Sequence, residues 1–202
     1  MIHELISKRH STRAYSDKII TEEELKDLFE AARWSPSSRN EQPWRFIYAT
    51  KEDPEEYSKI ADLLNEYNKI WAQNAPLLIL GIVKLDSDFT KQLNRAAFYD
   101  MGGAVANLTT QAVSMGLAVH QMGGFNLLKA REVFEIPENF EPAIVLAVGS
   151  KGNIEDLPES LKQRELTPRR RKELSELVFK EKFGYPADNL SQKEVQYTII
   201  QK

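Results

Sequence analysis

The chain has 202 residues, with 27 basic and 30 acidic side chains for a net charge of -3, three His and no Cys. That length suits one domain burying roughly 70% of its unfolded-state surface, with no need of disulfide staples. The absence of Cys excludes thiolate zinc sites, Cys-ligated clusters and Cys nucleophiles, so any redox chemistry falls to a bound cofactor.

The charge balance gives no general pull toward nucleic acid or an anionic membrane. The longest apolar run, residues 77–83, is far too short to span a bilayer. The first ten residues hold no signal-peptide core, and the expected location is cytoplasmic.

A short helix over residues 3–8 is followed by a polar, basic stretch to residue 19. Thr21 and Glu24 have capping-box spacing, and Ile20 and Leu25 are placed for a hydrophobic staple. Leu25, Leu28, Phe29 and Ala32 then recur at helical spacing, and the helix should end near Trp34 because Pro36 disfavours helical geometry at Ser35. Residues 44–50 read as a strand. Asp53-Pro54-Glu55-Glu56 reads as a helix start, with the helix running to about Trp71. Asn68 lies on its apolar stripe, and an inward amide needs a partner.

Residues 77–83 read as a central strand buried on both faces. A long helix over 94–115, closed by Gly116, is apolar most of the way round, as expected of a helix deep in a core or at an interface. A short strand over 117–122 ends at Gly123-Gly124. Asn126 is placed to cap a helix over 127–134, and 143–148 is another buried strand. Residues 149–202 are rich in Pro and charge, with one helix near 172–182 and no core of their own. The order of elements predicts an α+β or three-layer α/β domain, with helices on both faces of a mixed sheet of four or five strands.

Three polar clusters can carry chemistry. Arg9-His10-Ser11-Thr12-Arg13 places two guanidinium groups and a hydroxyl where they can clamp a phosphate, or forms a solvated basic loop. Pro36-Ser37-Ser38-Arg39-Asn40-Glu41-Gln42-Pro43-Trp44 can present Ser38, Asn40 and Gln42 to a polar ligand, or is turn chemistry. Arg169-Arg170-Arg171-Lys172 fits a second anchor for an anionic cofactor better than a nucleic-acid patch. Gly123-Gly124 allows a flat ligand to approach the backbone, or makes a tight turn. There is no G-x-S-x-G elbow, Walker A loop, H-E-x-x-H or Rossmann fingerprint.

Together these segments resemble the FMN-dependent nitroreductase family. Arg9-His10-Ser11-Thr12-Arg13 is similar to its opening R-x-S-x-R/K signature, and residues 36–44 are similar to its P-S-x-x-N-x-Q-P-W signature with every position intact. Asn68-x-x-Trp71 with Ala75-Pro76, then Gly116-Leu117-Ala118, Gly123-Gly124-Phe125 and Arg169–Lys172, extend the resemblance over most of residues 1–180.

The resemblance implies a three-layer nitroreductase-like fold in a single domain over 1–202, dimeric, with residues 150–202 extending onto the partner subunit. It implies FMN at the subunit interface, with Arg9, Ser11, Arg169 and Arg171 on the phosphate and ribityl chain and His10 alongside. Arg13 would lie near the N1–O2 edge of the ring and Asn68 at its pyrimidine edge. The Gly123 backbone N–H, with Gly124 beside it, would face N5. Ser37, Ser38 and Asn40 would come from the opposite subunit, and Pro36 and Gln42 of the same loop would also bind the cofactor.

The implied activity is hydride transfer from NAD(P)H through flavin N5 to nitroaromatic, quinone or related electrophiles by a ping-pong mechanism. No protein-borne acid, nucleophile or metal is expected. The partners would be a second copy of the chain and a small-molecule electron acceptor, with no nucleic acid or membrane. The alternatives are a flavin-binding regulatory or storage protein of the same fold, and a reductive dehalogenase-like member. The latter needs a lid for which residues 84–93 leave little room.

Overall fold

The computed structural model describes residues 2–187. The two longest strands, β2 (Leu77–Lys84) and β4 (Phe140–Ser150), lie side by side at the centre of one sheet. β1 (Trp44–Thr50) flanks β2 and β3 (Leu117–Met122) flanks β4, giving the order β1-β2-β4-β3. Every pairing between these strands is antiparallel, where a mixed sheet was expected. The helical connections between β1 and β2 and between β3 and β4 each return the chain to the end at which the preceding strand finished. Adjacent strands therefore run in opposite directions.

Alternation along β2 builds three layers. Leu78, Leu80 and Ile82 pack with Tyr57, Ile60 and Trp71 on one face of the sheet. Leu77, Ile79 and Val83 pack with Leu28, Ala104 and Leu108 on the other. Successive side chains of a strand point to opposite faces, so a continuous apolar run signals a strand covered on both sides. The second layer consists of α2 (Glu22–Arg33) and α5 (Ala97–Ser114). The first includes α3 (Pro54–Ala61), α4 (Glu66–Ala72) and α6 (Leu127–Val133).

Local signals fix most helix ends. Thr21 and Glu24 exchange hydrogen bonds of 3.1 and 2.9 Å in a complete capping box. Asp53 caps α3, with Pro54 at its first position. Asn126 caps α6 through the Lys129 N–H. Gly116, at φ +76°, closes α5 in the left-handed region that glycine adopts without steric cost.

The single helix expected from Asp53 to Trp71 is two helices. Between them the backbone pairs with the segment after β3: Asn65 N–H donates to Gly124 O at 3.1 Å and Asn126 N–H donates to Leu63 O at 2.8 Å. These bonds take residues 63–65 out of the helix, and Asn65 restarts it by capping the Asn68 N–H.

In the segment after residue 150, Leu157 and Leu161 enter this chain's own core. Leu161 belongs to α7 (Glu159–Leu166), which was not expected. The helix expected near 172–182 is reduced to α8 (Leu174–Leu177). Residues 188–202, the end of the segment expected to reach a partner subunit, lie outside the described residues. No described helix is long and apolar enough to cross a membrane.

Candidate functional site

The site starts with the strip that follows α1 (Glu4–Lys8). Thr12 is buried, and its hydroxyl bonds both the N–H and the carbonyl of Ala14. Tyr15 Oη donates to Ala147 O at 2.9 Å, and Gly152 N–H donates to Ala14 O. These bonds pin residues 12–15 across the end of the sheet. Thr12 and Ala14 then point inward, while Arg9, Ser11 and Arg13 stay partly exposed.

Arg9 Nη1 donates to Ser11 Oγ at 2.9 Å. Arg169 donates to the backbone carbonyls of Arg9 and, at 2.7 Å, Ser7. The late basic run thus docks on the N-terminal one, although 160 residues separate Arg169 from Arg9 in sequence. Partial burial, then the charges of Arg169 and Arg171, hold Arg9 below the ordinary guanidinium range. Among the described residues no carboxylate pairs with Arg9, Arg169 or Arg171. Such a cluster favours an anion, which guanidinium groups bind through paired donors.

His10 and Arg13 behave differently, because both face Glu165. His10 Nδ1 lies 3.4 Å from Glu165 Oε1. The Arg13 backbone N–H donates to Glu165 Oε2 at 3.1 Å, and Arg13 Nη1 lies 3.8 Å from the same oxygen. Burial lowers the His10 pKa, the Glu165 charge opposes that, and Lys151, Arg169 and Arg9 lower it further. The Arg13 Nε is buried with no hydrogen-bond partner. An orphaned guanidinium donor beside an uncompensated cationic cluster fits a polar, anionic ligand.

Arg13 lies over Trp71, 5.8 Å from the ring centroid, which ties this strip to α4. Trp71 is fully buried, and the His120 ring packs against it at 4.3 Å. His120 Nδ1 lies 2.9 Å from Thr12 O, and since a carbonyl only accepts, Nδ1 carries the proton. Burial chiefly pushes the His120 pKa down to about 4, so the ring is neutral near pH 7. One turn before Trp71, Asn68 donates from Nδ2 to Gly124 O at 3.2 Å, the partner its inward amide requires. A Cβ at Gly124 would meet Asn65 Nδ2 at 2.4 Å and Asn68 Nδ2 at 2.9 Å, which accounts for that glycine. A Cβ at Gly123 would meet nothing, so packing does not demand glycine there.

The 36–42 loop stands apart. Among the described residues no hydrogen bond or ion pair joins it to Arg9–Arg13 or Asn68. Pro36, Ser38 and Asn40 are exposed. Ser38 N–H donates to buried Asp100 on α5 at 3.0 Å, and Gln42 N–H donates to Ser37 Oγ at 2.9 Å. Gln42 Nε2 donates to Asn40 Oδ1 at 3.1 Å. Arg39, Asn40 and Gln42 all have φ between 45° and 57°, a left-handed backbone that costs energy outside glycine. Glu41 reaches the next loop, accepting from Ser87 Oγ and, at 2.9 Å, from Asp88 N–H. The loop is thus tied to α5 and to the Ser87–Asp88 turn, with no bond to the arginine cluster of its own chain among the described residues.

A model of the nitroreductase family matches residues 6–150, more than half of the chain. The chain belongs to the nitroreductase family. A solved structure described as an oxidoreductase containing FMN superposes at TM-score 0.86 and 32% identity, over 92% of this chain and 94% of its own. A nitroreductase family protein from Clostridium difficile 630 superposes at TM-score 0.70 and 29% identity, over 91% of this chain and 100% of its own. An Archaeoglobus fulgidus protein provisionally named NADH dehydrogenase/NAD(P)H nitroreductase is 28% identical over 77% of this chain and 88% of its own.

Around this candidate site, sequence reasoning missed Glu165, His120 and Asp100. Each carried a weak signal. Glu165 follows Leu157 and Leu161 at successive spacings of four, on the buried side of α7. Asp100 is a lone acid on the apolar face of α5. His120, with Gln121, interrupts a strand whose other residues are apolar.

Proposed function

We propose that this protein is an NAD(P)H-dependent FMN oxidoreductase that passes electrons to nitroaromatic, quinone or related electrophilic small molecules. The observation that carries the reading is the convergence of Arg9, Arg169 and Arg171 without a carboxylate among the described residues. A phosphate dianion is the counter-charge such a cluster suits. The family, and a neighbour at 32% identity described as containing FMN, support the same reading.

When bound, FMN supplies the hydride exchange between a nicotinamide and the acceptor. The chain's residues hold and tune it. Arg9, Ser11, Arg169 and Arg171 bind the phosphate and ribityl chain, with His10 alongside. Arg13 and Asn68 serve the pyrimidine end of the ring, where a cation stabilises negative charge. The Gly123 backbone N–H, followed by Gly124, serves the reactive edge, and the open space at Gly123 suits a flat ring.

The protein works as a homodimer in this reading. The 36–42 loop, exposed at Pro36, Ser38 and Asn40 and unbonded to its own arginine cluster among the described residues, gives Pro36, Ser37, Ser38, Asn40 and Gln42 to the partner's cofactor. Phe98 and Tyr99 of α5, 54% and 83% exposed, belong to the face that a second copy covers. The purified protein should be yellow and release FMN on denaturation. A colourless protein that cannot be reconstituted with FMN refutes the reading.

A further inference from the structure

Two carboxylates, Asp100 and Glu165, are buried among the described residues. Asp100 accepts a hydrogen bond that shapes the 36–42 loop. Glu165 occupies a costlier position. It lies in the last turn of α7, where the helix dipole disfavours negative charge, and its side chain is 4% exposed. A carboxylate there is held only if its neighbours compensate for lost hydration.

His10 and Arg13 lie against it, and its charge also acts on the Tyr15 phenol and the His120 imidazole. The charges of Lys151, Arg169 and Arg9 also act on His10. One oxygen takes the Arg13 backbone N–H at 3.1 Å and the other lies 3.4 Å from His10 Nδ1. The guanidinium contact is longer, 3.8 Å, so the Arg13 charge is offset in part. Its Nε keeps an unused donor. α7 follows the stretch that matches the family model, so this carboxylate comes from outside the matched residues.

We propose that Glu165 is a positioning residue of the cofactor site: it fixes His10 and Arg13 in place and moderates the Arg13 charge. It thereby sets how strongly the site favours the reduced cofactor over the oxidised one. The inference rests on the FMN reading above for its redox consequence, while the contact between Glu165 and His10 stands without it. The reduced ring carries the greater negative charge near N1, so a less moderated Arg13 raises the potential.

Glu165→Gln tests this, because the amide oxygen still accepts the Arg13 N–H while the charge is removed. In the flavin-free protein, the His10 imidazole followed by NMR should titrate at lower pH than in the parent, since the Glu165 carboxylate favours the imidazolium. In the FMN-loaded protein, binding of reduced over oxidised cofactor should rise about tenfold, read as a midpoint potential about 30 mV higher for the two-electron couple. Glu165→Asp, with the charge kept and withdrawn by one methylene, should fall between parent and Gln variant in both measurements.

A Gln variant matching the parent in both overturns the proposal, as does an Asp variant displaced as far as the Gln variant. Should the Gln variant fail to fold, the Asp variant decides alone: movement in the stated directions supports the proposal and no movement overturns it. A parent protein that binds no FMN refutes the FMN reading. The His10 titration in the flavin-free protein then still decides whether Glu165 holds that ring.

Discussion

Arg9→Ala separates ligand binding from folding. Arg9 donates to Ser11 Oγ at 2.9 Å, is partly buried, and is pressed by the charges of Arg169 and Arg171. On the phosphate reading its loss removes a charge-assisted hydrogen bond of about 1.5–3 kcal/mol, so FMN affinity falls roughly 10- to 150-fold. In the flavin-free protein the same change relieves like-charge crowding, so stability without ligand holds level or rises. The two effects meet in a thermal-shift assay. At free FMN a thousandfold above the parent Kd, binding stabilises the parent by about 4.1 kcal/mol. A hundredfold weaker variant retains about 1.4 kcal/mol. For a chain of this length that difference lowers the ligand-bound Tm by roughly 5–11 °C relative to the parent. A variant that loses stability without FMN, yet keeps the parent's FMN shift, refutes the reasoning: Arg9 would then be a structural cation rather than an anion anchor.

Gly124→Ala forces a Cβ into Asn65 and Asn68, whereas Gly123→Ala meets open space. The first should cost about 1–3 kcal/mol in denaturant unfolding of the flavin-free protein and the second far less; equal costs would contradict the geometry. Stability should also fall as the solution is acidified. His120 is held at about 4 in the fold by burial, against about 6.5 in the unfolded chain. Below pH 6.5 the unfolded chain therefore binds the proton first. The contribution, at most about 3 kcal/mol, is complete above pH 7 and is lost as pH falls toward 4. His120→Gln should flatten the stability profile over that window, and an unchanged slope would refute the assignment.

Much of the fold was legible because its signals are local. The Thr21–Glu24 box, the Asp53-Pro54 start, Asn126 and Gly116 each act within one turn of chain, and each stands where its residues indicate. The break between α3 and α4 was not legible. Leu63 and Leu64 are both buried and continue the helical stripe, while the bonds that open it come from residues 124 and 126. Strand direction was hidden for the same reason, since pairing is a relation between distant segments. At the site, the arginines and the 36–42 loop were visible as motifs. Glu165 was not, because a glutamate in a charged segment reads as solvated until the fold brings it to Arg13 from 152 residues away.

The central claim is that this chain holds FMN and lets a nicotinamide reduce it. Anaerobic stopped-flow of the FMN-loaded protein against NADH and NADPH tests it most directly. The account predicts that the oxidised flavin absorbance bleaches with at least one of them and returns when a quinone or nitroaromatic is added. Flavin that stays oxidised under excess of both would contradict it, and would favour a protein that binds FMN without turning it over.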